Sequence, residues 1–314
     1  MGKRLETFKN TIKPKTRLGL VLTIVFGVLT PVASGIAAGL IINKFFIGKR
    51  TDYSQYDNSD IKGAGDISSL MNHYQSNNED YTATYQPWEI FNVSFSLFSS
   101  YEYSSSITIG NADAGIVQQS IRNASIRYQD RYFEESISKS PMVSLSNRTY
   151  LNADSSIYLY KGEAEKADVG KYKKEHYEFT KEEYTEAYGK TPDRPTIYIV
   201  NKKTVNKKEC TTTKTSDGYT IYLSLKPETS VLDYIKQMKS ISNLNDYPSF
   251  YYVNLTLNTD HNLLVKSMHI EEKYFAAMGG VGTDITAKMD ITYEVGKETA
   301  IPKVDENIVY PEVK

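Results

Sequence analysis

Two kinds of apolar pattern divide this chain. From Leu18 to Ile42 the residues LGLVLTIVFGVLTPVASGIAAGLII run without a charge, whereas after Gly48 apolar residues recur at short intervals between polar ones. At about 1.5 Å per helical residue the uncharged run crosses a hydrocarbon core of about 30 Å. It predicts one transmembrane helix over 18–42, with Leu18, Leu22, Val25, Phe26, Leu29, Ile36, Leu40 and Ile41 as anchor residues. Six basic residues precede it against the single acid Glu6, so the positive-inside rule keeps the N-terminus in the cytoplasm. A competing reading is a cleaved signal peptide, with Leu18–Thr30 as its apolar region and Ala33, Ser34 and Gly35 as small residues for cleavage. Gly35 and Gly39 form a small-xxx-small pattern, a possible helix–helix contact between two spans.

Beyond the span, residues 43–62 read as a polar tether and 63–314 as one extracytoplasmic α+β domain. Ile67, Leu70, Met71 and Tyr74 follow helical spacing behind Asp66 as N-cap. Pro87 opens a second helix, with Trp88, Phe91, Phe95 and Phe98 on one face. From Tyr101 the period becomes two. Ile107 and Ile109 alternate with polar neighbours, and Asn111–Gly115 reads as a turn. Strands follow over 116–128 and 131–140, with Gln129-Asp130 as a hairpin tip, and again at Ile157 and Leu159. Thr180 caps a helix that Gly189 stops. Ile197–Asn201 and Tyr219–Leu225 read as strands, and Pro227 opens a helix to about Ser240. The last third is a β-meander. Tyr251, Val253, Leu255 and Leu257 share a face, then come Leu264–Phe275 and Ile285–Tyr293, the latter with Ile285, Met289 and Ile291 on one side. The total is eight to ten antiparallel strands and three or four helices. A curved sheet with so few helices leaves a candidate apolar concave face at Leu255, Leu257, Ile285, Met289 and Ile291. Two outcomes stand open: an open concavity, or one filled by the helix carrying Val231 and Met238.

Charge sharpens the address. From position 18 onward there are 31 basic and 37 acidic residues, a mildly acidic body that excludes a nucleic-acid partner. With one cysteine, Cys210, no intramolecular disulfide forms, which suits a bacterial envelope. No cysteine follows the span to serve as a lipid anchor.

Candidate chemistry is thin. His73, His176, His261 and His269 have no metal-ligand spacing, so no metal or cofactor is expected. Ser136-Ile-Ser-Lys139 matches Ser-x-x-Lys but lies on a strand without the companion motifs. Cys210 in KKECTTTK lacks a histidine partner. The pairs Glu134-Glu135, Glu182-Glu183 and Glu271-Glu272 read as solvated surface, since neighbours on a strand point to opposite faces. All 26 tyrosines follow the span, as expected for half-buried sheet surfaces.

The order of elements resembles the LolA/LppX-like half-barrel proteins, exported lipid- or lipoprotein-binding modules of bacterial envelopes. The resemblance covers about Pro87 to Pro311 and rests on IRNASIRYQDRYFEESIS, FYYVNLTLNTDHNLLVKSMHIEEKYFAAM and ITYEVGKETAIPKVDE. It implies a strongly curved antiparallel sheet with helices across its concave face, and an apolar ligand held there. The missing lipidated cysteine points to a tethered protein rather than a diffusing shuttle. The expectation is therefore a non-enzymatic binding module outside the cell membrane. Its partners would be the bilayer, a lipid-like ligand or a segment of an envelope protein. The alternative is an envelope structural or sensory protein with a fully packed core.

Overall fold

The computed structural model describes residues 51–57, 61, 70–72, 74, 80–114, 118–139, 144–162, 175–242, 246–278 and 281–303. The expected span, with its anchor residues and Gly35 and Gly39, lies outside them, as does the N-cap Asp66. Among the described residues no helix is long and apolar enough to cross a membrane.

Eleven strands form one antiparallel sheet: β1 (Tyr103–Asp113), β2 (Gln118–Tyr128), β3 (Arg131–Lys139), β4 (Ser144–Leu151), β5 (Ile157–Gly162), β6 (Glu175–Phe179), β7 (Thr211–Thr215), β8 (Gly218–Leu225), β9 (Ser249–Thr259), β10 (Val265–Met278) and β11 (Val281–Val295). Their order is β6-β5-β4-β3-β2-β1-β11-β10-β9-β8-β7. Two meanders therefore meet where β1 pairs β11, and the outer strands β6 and β7 leave the sheet open, as a half-barrel requires. The helices that lie wholly within the described residues include α1 (Tyr81–Thr84), α2 (Pro87–Ser100), α3 (Lys181–Tyr188), α4 (Pro227–Ser230) and α5 (Leu232–Ser242), and Ile61, Leu70, Met71, Asn72 and Tyr74 are helical as well.

Local chemistry sets the helix ends. At α2 the Glu89 carboxylate accepts from the Gln86 N–H at 2.8 Å, just ahead of Pro87. At α3 the Thr180 hydroxyl accepts from the Glu183 N–H, the Glu183 carboxylate accepts from the Thr180 N–H, and Gly189 ends the helix in the left-handed region. The expected single helix from Pro227 is two. The Ser230 carbonyl accepts from the Ile199 N–H at 2.9 Å, a partner outside the helix, and the chain turns at Val231 before α5. Ile197–Asn201, expected as a strand, is irregular and packs on α4 through that same bond.

Register decides which side chains face the helices. Leu257 opposes Met268, which opposes Ile291, which opposes Thr108. Leu255, Ile270, Met289 and Gly110 form the next row. The covered face is thus apolar over β8–β11, and over β1–β4 it is mostly polar or small, with Ile121, Tyr132 and Leu151 as its buried apolar members. On β1 the sequence expectation is reversed in effect: Ile107 and Ile109 point outward, 46% and 63% exposed, while Thr108 and Ala112 are buried. On β9 a bulge opposite Lys273 and Tyr274 shifts the register, so Phe250 is buried and Tyr251 is exposed, not aligned with Val253. Within the segment read as tether, Tyr53 is buried, and its hydroxyl donates to the Pro248 carbonyl at 2.9 Å.

Candidate functional site

A cavity of about 180 Å³ lies between the sheet and a cover made of α3, residues 189–198 and α5. Met268, Ile270, Met289, Ile291 and Tyr293 form its floor, all from the centre of the sheet. Ser106, Thr108, Asn123, Ser125, Ser136, Asn147 and Thr149 form a wall on β1–β4. Tyr184, Tyr188, Ile197, Tyr198 and Tyr234 line it from the cover. One side therefore presents hydrocarbon and sulfur, and the other mainly small hydroxyls and amides, with Glu134, Tyr132 and Leu159 beside them.

Much of the wall is satisfied within itself. The Ser106 and Ser125 hydroxyls are 2.7 Å apart, and the Ser136 hydroxyl donates to Asn123 Oδ1 at 2.6 Å. Asn147 is the exception, since it is buried and its Oδ1 has no partner. A buried acceptor left unpaired costs about 1–3 kcal/mol, so this position suits a ligand hydroxyl or amide. The charges around the cavity are paired: Lys190 Nζ lies 3.6 Å from Glu134, and Arg194 donates to Asp233 at 2.7 Å. Arg127 of β2 also donates to the Asp193 carbonyl at 3.1 Å, tying sheet to cover. Burial pushes the Tyr188 phenol up to about 12, and burial next to Glu134 raises Tyr132 and Tyr184 as well. The cover therefore presents neutral rings over a wide pH range.

Beside the cavity, Glu272 of β10 is fully buried on the same face. Its two oxygens accept from the Tyr198 hydroxyl at 2.9 Å and the Tyr234 hydroxyl at 3.0 Å. Burial raises its carboxyl to about 7, against the two phenol hydrogen bonds, which pull it down. This corrects the expectation that Glu271-Glu272 is solvated. The pair does split between faces, with Glu271 outside beside Lys288 at 2.6 Å, but the inner face is covered. Glu134 likewise lines the cavity.

Of the five residues expected on an apolar concave face, Met289 and Ile291 reach the cavity. Leu255, Leu257 and Ile285 share their face but have no exposed surface, sealed where α2 packs on β8 and β10 and α4 on β9. The polar wall and Glu272 went unnoticed in the sequence. A trace of the wall exists in the alternating serines, threonines and asparagines of β1–β4, yet such strands have no apolar side to show which way they face. The three described histidines do not converge. His269 lies on the outer face 2.6 Å from Asp290, His261 meets the Ser216 carbonyl at 3.0 Å, and His176 stacks on Tyr160. His73 lies outside the described residues. Among the described residues no three His, Cys, Asp or Glu side chains are grouped to hold a metal ion. Cys210 is half-buried, and burial raises its thiol.

Fold and site together define an open antiparallel half-barrel sheet whose inner face holds a covered cavity. No protein-family model matches the chain, and no curated protein matches it. Among solved structures it is similar to LprF from Mycobacterium bovis, at 12% identity over 69% of this chain and 96% of that one, with a TM-score of 0.35. A DUF1329 family protein from Desulfovibrio piger is 8% identical, over 69% and 92%, with a TM-score of 0.26. The ywiB protein from Bacillus subtilis is 9% identical, over 62% and 93%, at 0.18. At these identities and TM-scores the likenesses carry no argument, and nothing about the fold or the site rests on them.

Proposed function

We propose that this chain is a non-catalytic binding module, held at the outer face of the cell membrane by the 18–42 span, which takes up a lipid-like or other apolar-tailed ligand. The observation that carries the reading is the two-sided cavity under a tyrosine cover: an apolar floor at Met268, Ile270, Met289 and Ile291 facing a mainly polar wall that includes Asn147, whose Oδ1 has no partner. Such a lining matches a molecule with a hydrocarbon part and a hydrogen-bonding part. The paired charges leave no unmatched cation calling for an anionic ligand. At about 180 Å³ the half-open cavity accepts only one end of a lipid, since pockets for drug-sized ligands begin near 300 Å³.

A second reading has its own support. Leu255, Leu257 and Ile285 are fully packed, as a structural or sensory envelope protein acting through protein contacts would have them. One experiment separates the two. The full chain is purified from a bacterial host, extracted with organic solvent and analysed by mass spectrometry beside Ser136→Phe, which puts a ring into the cavity. A lipid enriched in the wild-type extract and depleted in S136F supports binding. Equal extracts from both chains, at the level of a control membrane protein, overturn it in favour of the packed alternative.

A further inference from the structure

We propose that Glu272 is a latch that holds the cover on the sheet, keeping the cavity narrow while its carboxyl is neutral and releasing the cover when the carboxyl ionises. The inference deepens the binding reading in purpose, but its geometry stands without any ligand. A space of about 180 Å³ is little larger than the roughly 150 Å³ cavity that takes up a benzene, so more than one end of a lipid is admitted only if the cover moves. What holds the cover is therefore what governs access.

Four polar ties cross from sheet to cover among the described residues: Lys190 to Glu134, Arg127 to the Asp193 carbonyl, Tyr184 to Thr149, and Glu272 to Tyr198 and Tyr234. The first pairs opposite charges, the second ends on a backbone carbonyl and the third joins two hydroxyls. Glu272 differs as a carboxyl that no ion pair reaches among the described residues. The groups facing it from each packed element are Tyr198 from the 189–201 segment, Tyr234 from α5 and Tyr274 two residues along β10. Its cross-strand neighbours are Val253 on β9 and Ala287 on β11. Asp233, the acid beside Tyr234, is taken up by Arg194. Burial and the nearby carboxylate hold all three phenols far above their ordinary range, so they stay neutral and supply no charge.

A neutral carboxyl sits in this place at little cost. A carboxylate there has only two phenol donors in place of its hydration, and buried charge of that kind is relieved by admitting water. Water reaches Glu272 when Tyr198 and Tyr234 part from the sheet. Both rings also line the cavity, so the same movement that hydrates the carboxylate opens the cavity wall. Because burial places the titration near pH 7, the change falls in the neutral range.

The test reads the cover directly. Hydrogen exchange with mass spectrometry is run on the full chain in lipid nanodiscs between pH 6 and 8, following peptides that contain Ile199 and α5, with rates corrected for base catalysis of exchange. One carboxyl titrating near 7 goes from about one-tenth to about nine-tenths ionised across that range, so cover opening in the wild type should rise about tenfold. Glu272→Gln, a permanent neutral mimic, should show no rise. Tyr234→Phe keeps the ring and removes one donor to the carboxylate, so its midpoint should move to higher pH. It also carries the test should E272Q fail to fold. The same pH profile in wild type and E272Q, or an unmoved midpoint in Y234F, overturns the latch. The cover is read without ligand, so the two proposals fail separately. Exchange that tracks pH beside an empty lipid extract keeps the latch and removes the binding reading, and a lipid-rich extract beside identical exchange does the reverse.

Discussion

Gly189 offers a way to measure how tightly the cover is built. It ends α3 at φ 78, a left-handed conformation, and a Cβ there would lie 2.2 Å from the Asp233 carbonyl oxygen, 2.8 Å from its carbon and 2.9 Å from its Cα. All three are backbone atoms in the first turn of α5, so no rotamer change relieves the clash. Gly189→Ala therefore carries two costs. The left-handed conformation costs about 1–2 kcal/mol for a residue with a Cβ, and forcing α3 from α5 adds about 1–3 kcal/mol by comparison with overpacked cores. Gly296, at φ 73 after β11, isolates the first cost, since a Cβ there meets nothing within 4 Å. G296A should lose about 1–2 kcal/mol and G189A about 2–5 kcal/mol. A domain of this size shifts by about 2–4 °C per kcal/mol, so the two melting temperatures should separate by several degrees. Trp88 is the sole tryptophan and is buried in α2, so its fluorescence reports unfolding without a label. A G189A protein that melts no lower than G296A would refute the packing of α3 on α5 described above.

Two further outcomes follow from burial. The Glu272 carboxyl, at about 7 in the folded protein against an ordinary 4.5, binds its proton more tightly when folded. The stability it confers is complete below about pH 4.5 and lost as pH rises through about 7, a change of about 3 kcal/mol at about 1.4 kcal/mol per unit. The denaturant-measured difference between wild type and E272Q should follow that course, and a difference flat from pH 4.5 to 8 would count against it. Leu257→Ala, at a site with no exposed surface, should cost about 2–5 kcal/mol, whereas Ile109→Ala, 63% exposed, should stay within about 0.5 kcal/mol. Similar losses in both would show that the face assignment of the sheet is wrong.

Where local chemistry decided an element, the sequence was readable. Thr180 with Glu183 and Gly189 bounded α3 to the residue, Pro87 opened α2, and Gln129-Asp130 made the β2–β3 tip, with Gln129 at φ 57. The meander of β9–β11 followed its alternation apart from two register shifts, at Val265/Ser267 and at Lys273/Tyr274, which no two-residue period reveals. Strands β4, β6 and β7 were missed for a related reason. SLSNRTYL, EHYEF and TTTKT carry polar residues on both faces or lie at an edge, so burial leaves little contrast to read. The split of the Pro227 helix depended on the Ile199 amide, about thirty residues away.

The site was less legible than the fold because its parts are chosen by topology rather than by neighbours in the chain. Alternation says that residues divide between two faces, but only the pairing of β1 with β11 makes the serine and threonine side of β1 continuous with Met289 and Ile291. That junction joins strands about 180 residues apart and sets a polar wall against an apolar floor. Glu272 shows the same effect in one residue. Its neighbour Glu271 is solvated, its local window is charged, and its two hydrogen-bond partners lie 74 and 38 residues away. A buried carboxyl is tolerated only where donors reach it, so its burial is a property of the closed cover and not of the strand that bears it. Whatever lifts the cover must therefore change the state of that carboxyl, and whatever charges the carboxyl must favour lifting the cover. This reciprocity is what makes Glu272, rather than any residue of the apolar floor, the position at which the cavity is governed.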